Sequence, residues 1–130
     1  MSVAVLIVTH EGIGTRLLAV AERMLGRLPL PAQALEVAFD ADPQVALLAA
    51  SSVMRHLDQG DGVLVLTDLY GATPANVAAR LVFLGTRVRR VAGLSLPMLL
   101  RTFNYPDLDL DAMAAAAAAG ARMGAIVDDA

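Results

Sequence analysis

Two short segments hold side chains that could do chemistry together. The first is Thr9-His10-Glu11-Gly12, directly after the apolar run Val3 to Val8; the second is Thr67-Asp68, at the end of the apolar run Gly62 to Thr67 and followed by Leu69-Tyr70-Gly71-Ala72-Thr73-Pro74. An unperturbed imidazole titrates near pH ~6.5, so at neutral pH one ring nitrogen keeps a free lone pair and can act as a nucleophile. A carboxylate that accepts a hydrogen bond from the other nitrogen would fix the tautomer and stabilise the positive charge that develops on attack. Asp68 suits that role if the two runs are neighbouring strands. Thr9 and Thr73 stay open as further nucleophiles, but no serine or cysteine stands obviously beside the pair. A helix starting at Thr73 and Pro74 would offer free backbone N–H groups and its dipole to an anion such as a phosphoryl group. Gly71 would let the backbone approach closely, and the Thr73 hydroxyl would either cap the helix or donate to a phosphoryl oxygen.

Taken singly, these residues have plainer readings. His10 alone reads as a structural histidine at a strand end, Asp68 as a turn cap and Thr73 as an ordinary N-cap. Their combination makes the functional reading the better one. His56 lies near a helix end and reads as a partner of the C-terminal dipole. The Arg87, Arg89, Arg90 cluster reads as a solvated edge. Asp107, Asp109 and Asp111 lack the glycine and glutamate of an EF-hand loop and read as helix caps.

Short apolar runs alternate with stretches of helical periodicity, the pattern of βα units around a parallel sheet. The strands are expected at Val3 to Val8, Leu35 to Phe39, Gly62 to Thr67 and Val88 to Leu94. Helices are expected over Leu17 to Leu28, from the Asp42-Pro43 start to about Leu57, from Thr73 to about Leu84, and over Pro97 to Phe103. A last, alanine-rich helix is capped by Asp109 or Asp111 and ends near Gly120 or Gly124. Alanine gives it high helix propensity but little bulk, so weak packing is expected, with a C-terminus that is mobile or held by a partner subunit. Ala125 to Val127 would be a short fifth strand. The expected fold is therefore α/β: one domain over residues 1–130, an open sheet of four parallel strands with helices on both faces. In such sheets ligands meet the carboxyl ends of the strands at a switch in strand order, where His10 and Asp68 would stand.

Composition narrows the function classes. All ten basic residues are Arg, which excludes a lysine nucleophile, a lysine Schiff base and the P-loop lysine. The net charge of −3 and the scattered bases give nucleic-acid binding little support. The chain has no cysteine, so disulfides and thiol chemistry are excluded and a cytoplasmic location is expected. Val3 to Val8 is too short for a secretion signal and reads as a strand, and the uncharged stretch Ala112 to Ala121 falls well short of the ~20 apolar residues a membrane span needs.

Val3 to His10, Leu64 to Asn76 and Ala92 to Leu99 together resemble the mannose/fructose-type IIA domains of the bacterial sugar phosphotransferase system. The resemblance rests on a first strand closing in Thr9-His10, on Asp68 followed by Gly71-Ala72-Thr73-Pro74-Ala75-Asn76, and on Gly93-Leu94-Ser95-Leu96-Pro97-Met98-Leu99. It implies that His10 accepts a phosphoryl group from the phosphohistidine of HPr through Nε2, with Asp68 orienting the ring, and passes it to a IIB protein. It also implies a homodimer that exchanges its last strand, peripheral association with a permease complex, and no cofactor. Glu11 departs from the glycine that many relatives place after the histidine. Two other readings compete. One is a regulatory module of the same fold whose partners depend on its phosphorylation; the other is a receiver-like domain phosphorylated on Asp68, which the lack of a lysine and of an acidic pair after the first strand argues against. A dinucleotide-binding module is weaker still, because Gly12 and Gly14 do not extend to a full glycine fingerprint.

Overall fold

The computed structural model describes residues 2–128; Met1, Asp129 and Ala130, the ends of the expected single domain, lie outside the described residues. The chain runs β1 (Ala4–His10), α1 (Gly14–Leu25), β2 (Ala32–Val37), α2 (Pro43–Leu57), β3 (Val63–Thr67), α3 (Thr73–Leu81), β4 (Val88–Ala92), α4 (Leu96–Asn104) and α5 (Leu110–Met123). All strand pairs are parallel and the sheet order is β2-β1-β3-β4. The order reverses between β1 and β3, so the carboxyl ends of these two strands flank the switch point.

β1 and β3 are central because both of their faces are apolar. Val3, Val5, Ile7, Leu64 and Leu66 face one core cluster, which α1, α4 and α5 cover with Ala21, Met98, Leu99, Phe103, Leu110 and Met113. Ala4, Leu6, Val8, Val63 and Val65 face the other, which α2 and α3 cover with Leu47, Ala50, Met54, Val77 and Leu81. Each large aliphatic side chain so buried contributes roughly 1.5–3 kcal/mol. α2, α4 and α5 start where a cap side chain satisfies a first amide: Asp42 accepts from Gln44 N–H at 2.9 Å, Ser95 from Met98 N–H at 3.2 Å and Asp109 from Ala112 N–H at 2.9 Å.

Several elements depart from the sequence expectation. β2 lies earlier, at Ala32–Val37, so Phe39 stands in the loop beyond it. It ends where its partner does, with Val37 opposite His10. α3 stops at Leu81 rather than near Leu84, because Phe83 and Leu84 find no core and stay exposed. β4 stops at Ala92, since the N–H groups of Gly93 and Leu94 both turn to the Thr67 carbonyl at 3.0 Å.

The alanine-rich α5 does not pack weakly. Its small residues let α4 approach closely: a Cβ on Gly120 would stand 2.6 Å from Arg101 Cβ and 2.9 Å from the Pro97 carbonyl oxygen. Leu110, Met113, Ala114 and Ala117 are buried along the same helix. Ala125 to Val127, expected as a strand, forms none within the chain, and Ile126 and Val127 are exposed.

Candidate functional site

The sheet register sets His10 beside Asp68. Val8 of β1 pairs with Thr67 of β3, so each chain leaves the sheet within two residues of that pair. Asp68 Oδ2 accepts from the His10 ring Nδ1 at 2.7 Å and from the His10 backbone N–H at 3.0 Å. Its other oxygen, Oδ1, accepts from the Leu69 N–H at 3.0 Å. Partial burial pushes the Asp68 carboxyl up, but the hydrogen bonds from His10 outweigh it and hold the group below the usual carboxylate range. An ionised Asp68 can only accept, so Nδ1 is the donor, and in the neutral imidazole Nε2 keeps its lone pair. The His10 side chain is 22 % exposed and the Asp68 side chain 9 %, which shields the carboxylate while leaving the imidazole accessible.

The backbone under His10 is fixed by the neighbouring loop. Thr9 is buried; its Oγ1 accepts from the Gly14 N–H at 2.9 Å and donates to the His10 carbonyl at 2.7 Å. This closeness requires glycine at position 14, where a Cβ would meet Thr9 Oγ1 at 2.9 Å and Ile7 Cγ2 at 3.0 Å. Glu36 of β2 accepts from the Gly12 N–H at 2.8 Å and the Thr15 N–H at 3.1 Å. Hydrogen bonds from the Gly12 N–H, then from the Thr15 hydroxyl and the Thr15 N–H, lower the Glu36 pKa.

The other two predicted site residues are not brought into contact with the pair. Thr73 is the first residue of α3 and not its cap: Ala72 is the N-cap, and its carbonyl accepts from the Asn76 N–H at 2.9 Å. The Thr73 side chain is exposed and makes no capping bond. With Pro74 lacking an N–H, Thr73 and Ala75 supply the free amides of this helix start. Gly71 takes a left-handed φ of +84° and, with Tyr70, Asn76 and Arg90, lines an open cavity of about 400 Å³ between α3 and β4. Neither His10 nor Asp68 lines that cavity.

Sequence reasoning missed Phe39 and Glu36. The Phe39 ring stacks on the His10 imidazole, with centroids 5.2 Å apart and planes inclined by 26°. Glu11 Oε1 accepts from the Phe39 N–H at 2.9 Å, so the carboxylate beside His10 is tied to the loop after β2. Both residues could have been found by extending the switch-point rule to β2, the other neighbour of β1. Arg87 and Arg89 pair with Asp111 at 3.1 and 2.7 Å on the exposed face of β4, in keeping with a solvated edge.

Fold and site together define a small doubly wound α/β protein whose switch point presents a histidine with one nitrogen held by a carboxylate and the other free. Known structures share this fold. A mannose/sorbose-specific IIA subunit of the phosphotransferase system from Enterococcus faecalis superposes with a TM-score of 0.89 at 23 % identity, covering 100 % of this chain and 97 % of that one. The phosphotransferase component EIIA from Streptococcus agalactiae gives 0.80 at 23 % identity, covering 97 % and 96 %. In sequence, the mannose-specific EIIAB component of Escherichia coli strain K12 is 29 % identical over 109 residues, 84 % of this chain. The chain spans about a third of the length of that relative, 33 %. Residues 4–128 match the family described as EIIA-man, PTS system fructose IIA component, and the chain belongs to that phosphotransferase family. Among the described residues no helix is long and apolar enough to cross a membrane.

Proposed function

We propose that the chain is a phosphocarrier that takes a phosphoryl group from the phosphohistidine of an HPr-type protein onto His10 and passes it to a IIB-type acceptor. The observation that carries this reading is the 2.7 Å contact between His10 Nδ1 and Asp68 Oδ2. Nε2 attacks the donor's phosphorus, and the new N–P bond forms as the donor's N–P bond breaks. The Nδ1 proton stays on the ring, and ionised Asp68 stabilises the positive charge that develops there. Onward transfer reverses these roles, with the acceptor's nucleophile attacking the phosphorus and His10 Nε2 leaving. The free amides of Thr73 and Ala75, the Thr73 hydroxyl and the side-chain-free backbone at Gly71 are the groups on the β3–α3 side that would meet the phosphoryl oxygens.

Receiver-type phosphorylation of Asp68 fits less well, because both of its oxygens already accept hydrogen bonds. The chemistry calls for no cofactor, and residues 1–130 would act as a phosphocarrier domain in the cytoplasm, associating peripherally with a permease complex. The exposed Ile126 and Val127, together with an outer edge of β4 that no strand among the described residues pairs, support a homodimer in which each tail adds a strand to its partner.

Incubation with phosphoenolpyruvate, enzyme I and HPr tests the reading. An acid-labile, base-stable phosphate should appear on the wild-type protein and be lost in His10→Ala. Label that persists in His10→Ala would move the site elsewhere.

A further inference from the structure

Phe39 is a large apolar side chain 80 % exposed to solvent, yet its ring stacks on His10 and its backbone N–H is bound by the Glu11 carboxylate. Core packing does not explain it. The Asp68 hydrogen bond fixes one edge of the imidazole, but rotation about the terminal sp³–sp² bond of histidine is broad, so a single bond leaves the ring free to tilt. A second contact on the ring's face removes that freedom. The π-face of Phe39 also lies against the ring that gains positive charge as Nε2 attacks, an interaction that is stronger in the charged state than in the neutral one.

We propose that Phe39 is a positioning residue for phosphoryl transfer, and that Glu11 is the latch that holds it on His10. The inference rests on His10 being the phosphoryl acceptor. Glu11 then acts at the site without touching the transferred group: it ties the β2–α2 loop to the β1 end, and that tie sets the aromatic ring against the imidazole.

The test compares initial rates of labelling by phospho-HPr, over a range of donor concentrations, for the wild type, Phe39→Ala, Phe39→Tyr and Glu11→Ala. NMR spectra of the His10 ring are recorded for the same proteins. Phe39→Ala should lower kcat about three- to tenfold with KM almost unchanged, the span expected from losing one aromatic contact. Phe39→Tyr should restore the rate, and Glu11→Ala should give a smaller loss of about twofold. The ring-current shift at the His10 carbon-bound protons should vanish in Phe39→Ala and persist in Phe39→Tyr. A wild-type rate in Phe39→Ala overturns the inference, and so does a loss confined to KM, which would make Phe39 a docking contact. A wild-type protein that takes no label removes the His10 reading itself, an outcome visible before any variant is compared.

Discussion

The β1–α1 and β3–α3 loops meet at one point of the sheet but are built in opposite ways. Around β1–α1, hydrogen bonds link Thr9 to Gly14, Glu36 to Gly12 and Thr15, and Glu11 to Phe39. In β3–α3, Asp68 is held by His10 and by Leu69, while Leu69 and Tyr70 are exposed and α3 starts without a side-chain cap. One loop fixes His10; the other contributes a single carboxylate and leaves the Thr73 and Ala75 amides free at the start of α3. The proposed carrier role, accepting a group and releasing it, calls for both: a histidine that does not move and a receiving side that is not already filled.

Cutting the link between the two loops should have the largest effect. Asp68→Asn keeps the shape but offers a neutral amide to Nδ1, and should slow labelling roughly 100-fold or more, measured as the initial rate with phospho-HPr. The Asp68 pKa is lowered in the folded state, so between that value and the ordinary 3.8 the unfolded chain binds more protons. Its contribution to stability is therefore full above pH 3.8 and is lost as the pH falls through the lower, folded value. Denaturant titrations across pH should show a wild-type advantage over Asp68→Asn that is constant near neutrality and closes only below that point.

Within the tied loop, Thr9→Val removes the acceptor for the Gly14 amide and leaves a buried N–H unpaired. The cost should be about 1–3 kcal/mol in equilibrium unfolding. In the open loop the corresponding change should be nearly silent. Thr73→Ala, exposed and uncapping, should cost about 0.5 kcal/mol or less, whereas Asp42→Ala at the cap of α2 should cost about 1 kcal/mol. A Thr73→Ala loss as large as that of Asp42→Ala would mean that Thr73 caps α3 after all.

The same contrast explains what could be read in the sequence. β1 and β3 were legible because continuous apolar runs mark strands buried on both faces, and once they are adjacent the His10–Asp68 pair follows. β2 was misplaced because Ala32, Ala34 and Leu35 are only partly buried, so their pattern is blurred, while Phe39 resembles a strand residue although its ring leaves the sheet for His10. Thr73-Pro74 looks like Asp42-Pro43, but proline is the second residue of α3 and the first of α2, a difference that no local pattern encodes. The tight seat of α5 depends on where Gly120 falls against Arg101 and Pro97, a tertiary fact that alanine content conceals.

With Asp68 holding Nδ1, Nε2 is the nitrogen we expect to receive the phosphoryl group. Heteronuclear NMR of the protein labelled by phospho-HPr reads the linkage directly from phosphorus coupling to the His10 ring. Phosphorus is expected on Nε2, with the Nδ1 proton retained. Phosphorus on Nδ1, or on Asp68, would contradict it.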